Sequence, residues 1–270
     1  MYGVTYDQEN STLSLDKHDC GLLSNASVTF KSLLSIHKNA SRLVKILWPY
    51  TSAWNKPDRL SRNVYDLYFT TVNSDIKTGQ DIYFNAMIGD CNKFDFSVLK
   101  PIRDTYFNLS SEVIVKQESF IQKYSIDFDH TIAILYRGTD KILEVPRVHP
   151  KYYLKPISPI KDISNYRVLI QTDQQQALDY FKHELPNSFH IEEMPLTKTD
   201  QVMHNLQRDT KMSNYDLGVN YLAAIAILSK CKYVVYDTNN AGLWICILRG
   251  DINNTCQIHA SVNTMNRFEY

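Results

Sequence analysis

The chain reads as an α/β protein built on mainly parallel sheets, and three observations predict that class. Three short runs, residues 131–136, 166–171 and 232–237, are almost continuously apolar and rich in β-branched or aromatic residues, as strands covered on both faces are. The second and third runs pass through a polar turn directly into segments of helical period. Near the N-terminus, a strand pattern, a helix pattern and a second strand pattern follow in order, which implies a crossover and a parallel pairing.

Composition sets the bounds. At 270 residues, with 44% hydrophobic and 21% charged side chains, the chain has an ordinary globular make-up and can bury one large domain or two of ordinary size. Lysine plus arginine equals aspartate plus glutamate at 29 each, so no global field recruits nucleic acid. The five cysteines are widely spaced and lack any C-x-x-C pair, which argues against a disulfide framework and a zinc site and for reduced thiols in a cytosol. No basic start followed by an apolar run marks a signal peptide, and no apolar stretch reaches the roughly 20 residues that span a bilayer. The expected location is cytoplasmic, with a peripheral membrane association left open.

The elements follow in order. Residues 12–16 alternate as a strand; Leu22, Leu23, Ala26, Phe30, Leu33 and Leu34 recur at helical spacing; residues 42–47 read as a buried strand stopped by Trp48-Pro49. From 50 to 101 the pattern is poor, with the runs 64–70 and 82–88 read as one or two strands among irregular loops. Its dense aromatics read mostly as core. Residues 110–124 read as a helix capped by Ser110 that delivers the chain to the strand at Thr131. Then come the strand at 166–171, a helix over 174–185, a short strand at 189–191, and a polar stretch over 195–213 read as a mobile loop. A helix apolar nearly all round ends near Lys230, and the strand at 232–237 runs through Thr238-Asn239-Asn240 into a last helix.

Chemistry gathers where the first of the three runs ends. Arg137, Gly138, Thr139, Asp140 and Lys141 place a cation, a flexible backbone position, a hydroxyl, a carboxylate and a second cation at a strand C-terminus, where open α/β sheets bind ligands. An arginine fork matches phosphate oxygens and glycine lets the backbone approach them, which points to a diphosphate. A plain strand-end turn with an exposed ion pair fits the same five residues equally well. Asp173 stands at the end of the next strand, as a site residue or as a helix cap, and the small polar residues Thr238, Asn239 and Asn240 open the last helix, where backbone N–H groups favour an anion.

The segment from Leu135 to Asp140 resembles the arginine motif of the fucosyltransferase superfamily that includes the α-1,6-fucosyltransferases, the nodulation fucosyltransferases and the protein O-fucosyltransferases, written H-x-R-R-x-D. In the α-1,6 enzymes the motif continues R-R-T-D-K and meets a His-Pro pair eight residues after the lysine; here Lys141 is followed by His149-Pro150 at that spacing. Leu135 stands where the family has histidine and Gly138 where it has the second arginine. Thr172-Asp173 match a T-D-D sequence with Gln174 in place of the second acid, and Thr238, Asn239 and Asn240 match a serine-rich loop beneath the donor diphosphate. Ala224 takes the place of an aspartate that contacts the nucleotide. The resemblance covers roughly residues 131–250 in three ordered pieces.

That resemblance implies a GT-B-like arrangement of two Rossmann-like lobes, an acceptor-side lobe over residues 1–125 and a nucleotide-sugar-binding lobe over 126–270. It implies an inverting glycosyltransferase without a cofactor beyond its donor substrate; no D-x-D motif is read in the chain, and no metal is therefore expected. GDP-fucose is the favoured donor, another nucleotide-sugar such as UDP-xylose the alternative, and a glycan the acceptor. Arg137 takes the role of binding the β-phosphate; Gly138, Thr139, Asp140, Lys141, His149, Asp173, Thr238, Asn239 and Asn240 are the further donor-side candidates. Glu144 is the candidate catalytic base, with Asp16, His18 and Asp19 at the first strand end as acceptor-side rivals. A non-catalytic nucleotide- or glycan-binding module of the same fold is the competing reading.

Overall fold

The structure is a computed structural model that describes residues 4–15, 21–38, 42–48, 63–72, 91, 94–138, 148–197, 212–258 and 264–266. Strands β1 (Val4–Asp7) and β2 (Thr12–Leu15) form an antiparallel hairpin, and β3 (Lys45–Leu47) joins β2 in parallel across helix α1 (Leu22–His37). The expected strand–helix–strand start is therefore present, with a leading strand that the sequence reading did not include. Helix α2 (Val64–Tyr68) and helix α3 (Phe96–Tyr106) flank β4 (Phe69–Thr70), which pairs antiparallel with β5 (Asn108–Leu109). Helix α4 (Ser111–Tyr124) begins at Ser110, whose Oγ accepts the Val113 N–H as the sequence predicts.

Two expectations in this region are corrected. The run at 64–70, read as strand, is mostly the helix α2: Val64, Tyr65, Leu67 and Tyr68 are all buried, so its apolar spacing serves a short turn of helix wedged into the core. Residues 96–106, whose first part falls in the stretch to 101 read as poorly patterned, form the helix α3. Asp95 caps it by accepting the Ser97 N–H, and Pro101 lies inside, where it removes one intrahelical donor. Burial of Phe96, Leu99, Ile102 and Tyr106 outweighs that loss.

The second sheet contains β6 (Thr131–Tyr136), β7 (Arg167–Thr172), β8 (Ser188–Phe189), β9 (Tyr233–Asp237), β10 (Thr255–Ile258) and β11 (Thr264–Asn266), in the order β11-β10-β9-β6-β7-β8. Five of the six run parallel, and β11 closes the edge antiparallel. Helices α5 (Lys151–Leu154), α6 (Gln175–Glu184), α7 (Asn214–Leu228) and α8 (Asn240–Arg249) connect or cover these strands. From β6 the chain moves outward to β7 and β8, then returns to β9 on the other side of β6. The order thus reverses between β6 and β9, and their C-terminal ends border the crevice that such a reversal opens.

Strand alternation sorts the core. Ala133, Leu135, Leu169, Val234 and Tyr236 point to one face, packed with residues of α1, α3, α4, α7 and α8. Ile132, Ile134, Tyr136, Val168, Ile170 and Val235 point to the other, covered by residues of α5 and α6. The first cluster includes the N-terminal elements as well, through Trp244 on α8. Its ring lies 4.9 Å from Phe107 and edge-on to Phe30, and its Nε1 donates to Ser27 Oγ at 2.9 Å. The dense aromatics that the structure describes here are core, as expected. No described helix is long and apolar enough to cross a membrane.

Candidate functional site

Each of the three central strands ends in a charged side chain: β6 in Arg137, β7 in Asp173 and β9 in Asp237. Arg137 and Asp173 each follow the last residue of a fully paired strand, in the register Tyr136↔Thr172, and so emerge side by side. Arg137 Nε donates to Asp173 Oδ2 at 2.9 Å, and the Gly138 N–H donates to Asp173 Oδ1 at 2.8 Å. Asp173 is not the cap of α6, which begins after Gln174 without a side-chain cap. Its carboxylate clamps the turn after β6 instead, with both oxygens engaged and a side chain only 5% exposed. A third group completes the hold: Arg137 Nη1 donates to Tyr221 Oη of α7 at 3.3 Å. The guanidinium is therefore aimed before any ligand arrives, while remaining 19% exposed at the strand end.

Asp237 sits across the crevice on β9. Burial pushes its carboxyl up from the ordinary 3.8 to about 7; the Arg137 guanidinium opposes the rise and the Asp173 charge adds to it. Hydrogen bonds from its own backbone N–H and that of Arg137 reach this carboxyl, and Asn239 Nδ2 donates to Asp237 Oδ1. Near pH 7 the crevice thus holds the Arg137–Asp173 pair and, in Asp237, a carboxyl close to its titration point.

The other predicted residues fall as follows. Thr238 is tied to the neighbouring strand, donating to the Ile258 carbonyl at 3.2 Å and accepting from Gln257 Nε2 at 3.2 Å. Asn239 caps α8 through Oδ1, which accepts the Gly242 N–H at 2.8 Å. Asn240 Nδ2 donates to Ser24 Oγ at 2.9 Å, so the start of α8 meets the first turn of α1. His149 stands before α5, where its Nδ1 accepts the Lys151 N–H at 3.2 Å. It lines a pocket of about 490 Å³ together with Tyr136, Gln174 and Tyr180. Thr139, Asp140, Lys141 and Glu144, and the acceptor-side Asp16, His18 and Asp19, lie outside the described residues.

Sequence reasoning missed Asp237 and Tyr221. Asp237 ends an apolar run in the same way as Arg137 and Asp173, and that shared position was the available signal. Tyr221 carried none, because it lies in a helix apolar nearly all round. Two of the departures from the family motif meet in space: a Cβ added at Gly138 would stand 2.4 Å from Gln174 Oε1 and 2.7 Å from Tyr136 Cε1. Ala224, in the place of the family's aspartate, is fully buried, so that position faces core.

One sequence statement needs correcting. A D-x-D spacing does occur, at Asp127-Phe128-Asp129, but it lies before the first residue of β6, at the opposite end of that strand from Arg137. A six-residue strand separates them by about 20 Å. Asp127 there accepts the Asp129 N–H at 3.0 Å and engages His130 Nδ1 at 2.8 Å, an exposed turn cap. No group of three or more His, Cys, Asp or Glu suited to a metal occurs among the described residues.

No family model and no curated protein matches this chain. Among solved structures, it is similar to the crystal structure of fucosyltransferase NodZ from Bradyrhizobium, with a TM-score of 0.50 at 10% identity over 91% of this chain and 93% of that one. A NodZ alpha-1,6-fucosyltransferase soaked with GDP-fucose matches with a TM-score of 0.44 at 14% identity over 65% of this chain. A NodZ alpha-1,6-fucosyltransferase co-crystallized with GDP matches with a TM-score of 0.43 at 13% identity. The chain covers 55% and 53% of those two chains, about half their length. The fold is the α/β, GT-B-like fold of a fucosyltransferase.

Proposed function

We propose that this chain is an inverting, metal-independent glycosyltransferase that moves a sugar, fucose by preference, from a nucleoside diphosphate donor to a glycan acceptor. The observation that carries the reading is Arg137, aimed by Asp173 and Tyr221 at the strand end beside the crevice where the strand order reverses. The fucosyltransferase-like fold supports it, as do the retained residues of the arginine motif. In this reading the guanidinium takes the donor's β-phosphate and stabilises the negative charge that grows on the departing diphosphate. Asp173 keeps the fork in place, so no reorganisation is needed as the bond breaks. A protonated Asp237 adds no repulsion toward the anion.

The acceptor hydroxyl attacks the anomeric carbon from the face opposite the leaving group, and a carboxylate takes its proton. Glu144 remains the proposed base, with Asp16, His18 and Asp19 as alternatives. Metal independence rests on the cationic side chain at the strand end and on the remoteness of Asp127-Phe128-Asp129 from it. A cytoplasmic location and a donor needing no further cofactor belong to the same proposal.

The motif departures favour a second reading, a module that binds nucleotide or glycan without catalysis: Leu135 and Ala224 are core residues where the family has polar ones. A transfer assay with GDP-fucose, other GDP-sugars and UDP-xylose separates the two readings. Transfer from a nucleotide-sugar supports the enzyme; nucleoside diphosphate binding without any turnover across the panel supports the module. Calorimetric titration with GDP, UDP and dTDP tests the donor, since a clear preference for UDP or dTDP removes the fucosyl assignment and leaves the transferase standing.

A further inference from the structure

Arg137 stands between two carboxyls, one from each neighbouring strand. Asp173 follows Thr172, the partner of Tyr136, and so lies opposite Arg137 itself. In the β6–β9 register the last pair is Leu135↔Tyr236, which sets Asp237 beside Tyr136, one residue before the arginine. The two acids are held differently. Asp173 meets the guanidinium directly, on the face of the sheet where Tyr221 also reaches it. Asp237 starts on the other face, with Tyr136 and Tyr153, because Tyr236 before it points into the first cluster. Among the described residues its hydrogen bonds come from uncharged groups: its own backbone N–H, that of Arg137, and Asn239 Nδ2. Burial, and then the Asp237 charge, keep the Tyr153 hydroxyl well above its ordinary value, so this neighbour stays neutral.

The cluster links Asp237 to whatever binds the arginine. Burial favours the protonated form of Asp237, the Arg137 charge favours the ionised one, and the Asp173 charge opposes ionisation again. An anion on the guanidinium changes that balance in one direction, because it offsets the positive charge and adds a negative charge of its own. Charges elsewhere around the strand ends move the starting point of the titration but not the direction of this change. Since the carboxyl titrates at about 7 before a ligand arrives, the change falls where a proton can be gained.

We infer that Asp237 is a proton site coupled to the anion site at Arg137, so that the anionic ligand and a proton bind together and leave together. The proton comes from solvent on binding and returns to it on release, and no covalent bond to the ligand is made or broken. In sugar transfer, a role that rests on the transferase reading, the same proton offsets charge as the diphosphate departs, and rising pH favours release of the product.

Calorimetry on the full chain at pH 7, in buffers of low and high ionisation enthalpy such as PIPES and Tris, tests the coupling. GDP-fucose and UDP-glucose are the ligands, because their diphosphate diesters do not titrate in this range, whereas the terminal phosphate of GDP does, at roughly pH 6. Uptake of about half a proton per ligand is expected, with affinity falling about fivefold from pH 6 to pH 8. Asp237→Asn should bind without the uptake and without the fall. Binding with no proton uptake in the unaltered chain, or equal uptake in Asp237→Asn, overturns the inference. A second readout needs no nucleotide-sugar: the carbon-13 carboxyl signal that Asp237→Asn removes should titrate at higher pH in the presence of inorganic sulfate, a dianion throughout this range, than in its absence. If neither nucleotide-sugar binds, a midpoint raised by sulfate leaves the coupling standing and counts against the transferase reading alone; a midpoint that sulfate does not move overturns the inference as well.

Discussion

Replacing Asp237 by asparagine should make the protein more stable, and more so at higher pH. The carboxyl is raised from 3.8 to about 7 in the folded chain, chiefly by burial. Between those values the folded state holds a proton that the unfolded state has released, so this group's contribution to stability falls as pH rises from about 4 to about 7 and levels off above. At about 1.4 kcal/mol per pH unit, the stability lost through Asp237, relative to a group that stays neutral in both states, is roughly 1.7 kcal/mol at pH 5 and about 4 kcal/mol at pH 8. Asparagine keeps the shape and an oxygen for the Asn239 Nδ2 and Arg137 N–H groups, and has no charge to bury. The difference in unfolding free energy between Asp237→Asn and the unaltered protein should therefore widen by about 2.5 kcal/mol from pH 5 to pH 8. Urea unfolding at a series of pH values reads this directly, and all other titrating groups cancel in the difference. Two parallel stability curves would refute the reasoning, because they would mean that Arg137 already keeps Asp237 ionised at the lower pH.

Arg137→Lys should keep the charge but lose the fork, lowering affinity for a nucleoside diphosphate by about 1.5–3 kcal/mol in calorimetry; unchanged binding would remove Arg137 from the site. Arg137→Ala is the poorer probe, since it leaves the buried Asp173 without its ion pair and should itself destabilise the chain by about 3–5 kcal/mol in urea unfolding. Gly138→Ala should cost about 1–3 kcal/mol in the same assay, as the new methyl meets Gln174 Oε1 and the Tyr136 ring; a neutral effect would show that both side chains move away freely. Sugar transfer should survive EDTA, and complete loss on chelation, restored by Mn²⁺ or Mg²⁺, would defeat the metal-independent mechanism.

The central strands β6, β7 and β9 were legible because they are covered on both faces, so each reads as a nearly unbroken apolar run with a polar end, whereas β10 and β11 carry no such run and were not read. Arg137 and Asp173 were found for the same reason: position at a strand end is visible in a sequence. Their contact was not, because it depends on the parallel register of β6 with β7 across 36 positions of chain. The holder of the arginine in the structure is Asp173, while Asp140 lies outside the described residues. The region before α4 was harder. In α2, four buried residues among five erase the contrast between faces that tells helix from strand. In α3, Pro101 disfavours a helix locally, while the burial that keeps the helix comes from residues distant in sequence. The pocket left no linear trace, since its walls come from three separate segments.

The close approach of Gly138 and Gln174 makes those two positions sterically dependent on one another. An arginine introduced at 138 would begin with a carbon inside the space of the Gln174 amide and the Tyr136 ring edge. An acid introduced at 174 alone would set a second carboxylate beside Asp173, whose described cationic partner, Arg137, is already engaged. Substitution at either position is therefore best paired with a compensating change at the other. The two residues therefore act as one unit of packing at the end of β6, and a change at either is felt at both.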